Sequence, residues 1–211
     1  MMKNDNLLEV TCAICGSSSL QYAQVLSGFN EMLKYFLEST SLDKDTLKLL
    51  VQECPFCRYC APDLATVMPG VNEIICTESY RLIADNIGIP ALIRRYMLYS
   101  YCAEMLKEDE TALFGYLVSS WICDDLKDMK SGRRCRLKAI ECMLMCKENG
   151  VLTWKEPGVF EFMLGELYRR TADFEKGSMM VKTGLNKVVK HELRSGLELT
   201  GSRIDRWDTL P

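Results

Sequence analysis

The chain has 211 residues, room for one medium domain or two small ones, and its 48% hydrophobic and 26% charged residues supply a core and exclude wholesale disorder. A net charge of −3 argues against a general nucleic-acid binder, which carries a basic excess. No apolar run approaches the ~18 residues of a membrane span, and the opening MMKNDNLLEV lacks the apolar stretch of a secretory signal.

Eleven cysteines would suit a secreted disulfide scaffold, but the count is odd and many sit inside helical patterns such as SSWICDD and AIECMLMCKENG. A reducing cytoplasm is the expected compartment, with free buried thiols acting as small hydrophobes and no structural disulfide.

In chain order, the first motif is Cys12 and Cys15 in TCAICG. Residues 20–26 alternate apolar and polar and predict a strand. Phe29, Met32, Leu33, Phe36 and Leu37 form a helical stripe. Asp43 is a candidate N-cap for a helix running to Leu50. Cys54 and Cys57 follow in ECPFCRYC; beyond them Pro62 and Pro69 predict irregular backbone. A helix is expected over 78–87, ended by Gly88 and Pro90.

Residues 90–192 read as five helices joined by short connections, which favours antiparallel neighbours. Breaks are expected at Asp109 or Glu110, over 127–131, at Asn149-Gly150, before Pro157, and at Ala172-Asp173; the last helix is expected to run over 174–193. Residues 193–211 are expected to be a loose tail with a short docked piece near Trp207. The predicted domains are therefore 1–89, 90–192 and the tail 193–211.

The hairpin around GELYRRTADFEKG fits a tetratricopeptide unit of about 34 residues. Leu164, Gly165, Tyr168, Gly177, Val181 and Gly184 occupy its key positions, small residues allowing close helix crossing while Tyr168 fills the wedge. A weaker copy places Ser100, Ala103, Ala112, Tyr116 and Ser119 at equivalent positions. Stacked helical repeats leave a concave face, so protein or peptide binding is the default functional expectation.

Two Cys-x-x-Cys turns supply the four soft ligands of a tetrahedral zinc: Cys12, Cys15, Cys54 and Cys57. The interval between the pairs exceeds the ~15–20 residues of a compact ribbon, and a helical insert accounts for the excess. Cys60 extends the second pair to Cys-x-x-Cys-x-x-Cys and Cys76 lies further on; either is an outside candidate for ligation. A dithiol redox pair is the competing reading, although neither pair clearly opens a helix after a strand. Four thiolates close the coordination sphere, so the zinc would be structural.

No catalytic constellation accompanies it. His191 is the one histidine, expected late in a helix as a helix-end charge or a solvated side chain. There is no Gly-x-Ser-x-Gly, Walker A or dinucleotide fingerprint. Asp124 and Asp125 sit oddly at a helix C-terminus, where carboxylates oppose the dipole. Arg94-Arg95, Arg133-Arg134-Arg136 with Lys138, and Arg169-Arg170 read as solvated helix surface, or as one basic face.

The stretches CAICG (12–16), CPFCRYCAPDL (54–64), SSWICDDLKD (119–128), CRLKAIE (135–141) and GELYRRTADFEKG (165–177) together resemble a bacterial zinc-ribbon and tetratricopeptide-like family known as domain of unknown function 2225. The resemblance covers most of residues 10–190. It implies a cytoplasmic bacterial protein without an established catalytic role. Arg58 stands where the family has Gly, Cys60 where it has a small residue, and Thr171-Ala172 where it has Leu-Gly.

The expected fold is mainly α, a zinc-ribbon-like module of small β structure with a helical insert, followed by a tetratricopeptide-like antiparallel helical array. The expected function is a non-enzymatic, zinc-binding adaptor whose helices bind a protein or peptide, with no membrane association. The alternatives are a nucleic-acid-associated regulatory zinc-ribbon protein and a thiol redox sensor using Cys54, Cys57 or Cys60.

Overall fold

The computed structural model describes residues 7–22, 50–152, 154 and 156–211. The expected helices at 29–37 and in the segment after Asp43, and the strand beyond Tyr22, lie outside the described residues. Four short strands and eight helices make the described part mainly helical. The chain divides into two compact units, 1–119 and 120–211, so the boundary expected near residue 90 falls inside the first of them.

In the first unit β1 (Leu7–Thr11) and β2 (Ser18–Tyr22) form an antiparallel hairpin that ends with Thr11 opposite Ser18. A shorter hairpin pairs β3 (Gln52–Glu53) with β4 (Cys60–Ala61), Glu53 opposite Cys60. Helices α1 (Val71–Ile75), α2 (Glu78–Ala84) and α3 (Ala91–Met105) follow, and α4 (Asp109–Asp125) runs through the division between the units. Helix α1 lies where Pro62 and Pro69 predict irregular backbone, and the helix expected over 78–87 is shorter than its pattern. Helix α2 closes at Ala84 with Asp85 as its C-cap, three residues before Ile87. Thr77 caps α2 by accepting from the Tyr80 amide. Val51, Leu64, Val71, Tyr80, Ile93 and Tyr96 are fully buried here.

The copy placed on α3 and α4 puts small residues at a close approach. Ser100, Ala103, Ala112 and Ser119 are buried, and a Cβ on Gly115 would meet Ser100 Oγ and the Tyr96 carbonyl. Tyr116 donates its hydroxyl to Glu104 at 2.7 Å.

The second unit holds α5 (Met129–Glu148), α6 (Val159–Arg170), α7 (Phe174–Lys187) and α8 (His191–Asp205). Helices α6, α7 and α8 pack on one another, and α5 packs on α6. Gly165 and Gly177 make the α6–α7 crossing close: a Cβ on Gly177 would lie 3.4 Å from the Gly165 carbonyl oxygen and 3.0 Å from Ile204. The expected joints hold their residues in tight turns. Lys127 and Ala172 adopt the left-handed conformation, and Asp128 and Asp173 cap the helices that follow.

The end of the chain differs from expectation. Residues 188–190 leave the helix, with Val188 extended and buried, and α8 occupies most of the supposed tail. Leu197 and Ile204 of α8 join Val181 and Val188 in one apolar cluster. His191 therefore opens a helix and does not close one. The final residues are docked: the Arg169 guanidinium donates to the Asp208 and Leu210 carbonyls, and Arg170 to that of Thr209.

Two arginine groups are likewise not solvated surface. Arg136 and Arg169 are buried. Arg136 and Arg170 both donate to Asp124, which accounts for that carboxylate at a helix C-terminus. Arg169 pairs with Glu166 one turn earlier. Among the described residues no helix is long and apolar enough to cross a membrane.

Candidate metal centre

The two hairpin turns have the same backbone wiring. In the first, the Gly16 amide donates to the Cys12 carbonyl (2.8 Å) and the Cys12 amide to Ser17 (3.0 Å). In the second, Arg58 donates to Cys54 (3.0 Å) and Cys54 to Tyr59 (2.8 Å). Each turn needs a left-handed residue immediately after its second cysteine. Gly16 adopts φ +72° without side-chain strain, whereas Arg58 adopts φ 69° as a non-glycine.

Contacts around Arg58 hold it in that conformation. Its guanidinium lies 3.0 Å from Glu53 and 3.3 Å from the Ala84 carbonyl, while its own carbonyl accepts from the Tyr80 hydroxyl at 2.8 Å. The hairpins are also stitched reciprocally. Gln21 donates from its side chain to the Glu53 carbonyl, and Gln52 to that of Tyr22, each at 3.1 Å. The Ala13 amide adds a 2.8 Å bond to the Leu64 carbonyl.

This wiring brings the four predicted cysteines together. The sulfurs of Cys12, Cys15, Cys54 and Cys57 all lie within 4.8 Å of one another, positioned to hold a metal ion. Cys12 Sγ is 3.7 Å from Cys57 Sγ, and Cys15 Sγ is 3.6 Å from Cys54 Sγ. A tetrahedron of thiolates around an ion at ~2.3 Å has edges of about 3.8 Å, so the spacing is compatible with zinc. Among the described residues no other group of three or more His, Cys, Asp or Glu side chains is arranged to hold a metal.

The thiols differ in surroundings. Cys12 and Cys54 are buried, Cys57 is half-buried and Cys15 is exposed. Burial pushes the Cys12 thiol up, against lowering by the Cys15 and Ile14 backbone groups, and burial also pushes Cys57 up. Cys15 is drawn down to about 6, chiefly by the Ser17 hydroxyl and then by the Ser17 backbone. Backbone groups of the turns thus favour the thiolate form that a metal requires.

Cys60 and Cys76 are outside the cluster. Cys60 is buried, its thiol is pushed well up by burial, and it donates to the Arg58 carbonyl at 3.4 Å, so it serves as a small core residue that braces the turn. Cys76 caps α1 and is exposed. The bracing residues Gln21, Gln52 and Tyr80 escaped the sequence reading, since nothing in their local pattern marks them. At Arg58 the sequence marks only a departure from glycine.

No protein-family model, curated protein or solved structure matches the chain.

Proposed function

We propose that the protein is a cytoplasmic, non-enzymatic adaptor, in which zinc held by Cys12, Cys15, Cys54 and Cys57 fixes the N-terminal hairpins and tetratricopeptide-like helices bind a protein partner. Four thiols converge, and among the described residues no other donor joins them. A tetrahedral ion held by all four has no open position for water, so its role is structural. When bound, it would cross-link the two turns.

The resemblance to the domain of unknown function 2225 family supports this reading, as does the close crossing at Gly165 and Gly177. The helical unit also carries a groove of about 680 Å³ lined by Leu137, Ile140 and Leu144 of α5 together with Tyr168, Phe174 and Trp207. Trp207 is 75% exposed and meets Phe174 edge-on at 5.1 Å, an aromatic pair of the kind that anchors protein interfaces. The one histidine, exposed at the start of α8, offers no base in a constellation.

Metal analysis of freshly purified protein tests the first half. One zinc per chain is expected, lost in Cys54→Ser; a folded protein free of metal would reject the centre. For the second half, a partner should bind the wild type and lose affinity for a Leu137→Glu, Leu144→Glu variant whose zinc content is unchanged. Tight DNA or RNA binding with a steep salt dependence would instead reject the adaptor.

A further inference from the structure

We infer that Cys15 is the modification site of the metal centre, the ligand through which oxidants and electrophiles reach it, with Cys54 as the thiol that resolves the modified sulfur. The inference rests on the zinc reading above. With all four sulfurs held as thiolates by one ion, access ranks their reactivity.

Access is unequal for a structural reason. Cys12 and Cys54, the first cysteine of each turn, are 1% and 0% exposed. The second cysteines differ: Cys15 is exposed and Cys57 is only partly so. The residues that follow them differ as well. After Cys15 stands Gly16, and a Cβ built there would have no atom within 4 Å, so that side of the turn opens to solvent. After Cys57 stands Arg58, whose side chain reaches back to Glu53 and across to the Ala84 carbonyl. Outside the cluster, Cys76 is the one other exposed cysteine among the described residues.

The neighbouring sulfur completes the site, since Cys54 Sγ lies 3.6 Å from Cys15 Sγ. With hydrogen peroxide as oxidant, the Cys15 thiolate attacks one peroxide oxygen. The O–O bond breaks, Cys15 becomes a sulfenic acid and hydroxide leaves. The Cys54 thiolate then attacks the Cys15 sulfur, forming the S–S bond and expelling a second hydroxide. Two thiolates and one peroxide give one disulfide and two hydroxides, the sulfurs losing the two electrons that the peroxide gains. Cys12 and Cys57 alone then remain as donors, too few to retain a tetrahedral ion.

The test uses the full chain with its zinc, one equivalent of hydrogen peroxide, a chromophoric zinc indicator and mass-spectrometric mapping. Zinc should appear one-for-one with a Cys15–Cys54 disulfide. In parallel alkylation with N-ethylmaleimide, Cys15 should react more than ~10-fold faster than Cys12 or Cys54. Cys76→Ser should leave the rate of zinc release unchanged, and Arg58→Gly, by uncovering the second turn, should bring Cys57 several-fold closer to Cys15. Zinc released with Cys12 or Cys57 modified first, a disulfide lacking Cys15, release that depends on Cys76, or an unchanged Cys57 rate in Arg58→Gly would each overturn the inference. A protein purified without zinc would overturn the zinc reading itself and this inference with it; a zinc-loaded protein with another order would overturn this inference alone.

Discussion

The hairpin β1–β2 leaves Leu8, Leu20 and Tyr22 exposed, while α6, α7 and α8 bury Leu164, Leu167, Val181, Leu197 and Ile204. The β1–β2 hairpin is held by the four-sulfur cluster, two glutamine side chains and backbone bonds, whereas the β3–β4 hairpin also buries Val51, Tyr59 and Leu64. The helices are held by close apolar packing and by a buried arginine that docks the chain end. A short strand pair is marginal without added staples. The comparison therefore predicts that the two regions fail under different insults, and the fluorophores allow this to be seen. All three tryptophans (Trp121, Trp154 and Trp207) belong to the second unit.

The largest effect is expected from removing the ion, which contributes on the order of 10–16 kcal/mol of apparent folding free energy in small zinc modules. A strong chelator, or Cys54→Ser, should abolish hydrogen-exchange protection in residues 7–22 and weaken it in the better buried residues 50–64. The urea transition followed by tryptophan fluorescence should stay in place. A chelator that shifts both signals together would break the distinction between the regions.

The reverse experiment loads the helical region. At Gly184 a Cβ would already lie 2.8 Å from Leu197 Cδ2 and 3.0 Å from the Glu161 Cβ. Gly184→Val should destabilise the tryptophan-monitored transition by about 2–3 kcal/mol through overpacking, with zinc content unchanged. Undiminished stability would mean that α7 and α8 are not packed as closely as Gly184 implies.

A smaller effect sits at the joint between α4 and α5. Asp128 caps α5 by accepting from the Ser131 amide at 3.0 Å, and the Ser131 hydroxyl and amide hold its carboxyl below its ordinary value of 3.8. A depressed carboxyl contributes stability above its unfolded pKa, and the contribution is lost as pH falls through the folded pKa. Asp128→Ala should thus cost about 1 kcal/mol at neutral pH. The gap from wild type, read by tryptophan fluorescence, should close as pH falls below 3.8. A gap that persists there would show that the side chain acts without its charge.

How far this was legible in the sequence follows the same divide. Cys12, Cys15, Cys54 and Cys57 could be read because ligand spacing is a chemical requirement written locally. The joints at 127–131 and Ala172-Asp173 were readable from their polar residues, but the capping by Asp128 and Asp173 shows only in the structure. The break at 188–190 was not, since Val188 and Val189 continue an apolar pattern without Gly or Pro, and burial of Val188 selects its extended conformation. Nor was the burial of Arg136 and Arg169 legible, because a charged residue on a helix reads as surface until its partners arrive from elsewhere in the chain. Helix α1 is five residues long, too short to show a period.

The finest comparison is between the two turns themselves, at Gly16 and Arg58. A non-glycine in the left-handed region costs roughly 1–2 kcal/mol, and Arg58 offsets part of this through Glu53 and the Ala84 carbonyl. The Arg58 side chain is 29% exposed, so solvent screens the ion pair to about 1 kcal/mol or less. Arg58→Ala keeps the strain and loses the contacts, and should cost about 1 kcal/mol. Arg58→Gly loses the same contacts but relieves the strain, less the larger entropy of an unfolded glycine, and should stay within ~0.5 kcal/mol of wild type. The measurement is the denaturant midpoint of the zinc-loaded protein, followed by hydrogen exchange in residues 50–64. If alanine and glycine prove equal, the backbone at Arg58 is unstrained and the contacts alone hold the second turn. If glycine is the better by about 1 kcal/mol, the second turn tolerates its arginine only because Glu53, Tyr80 and Ala84 surround it.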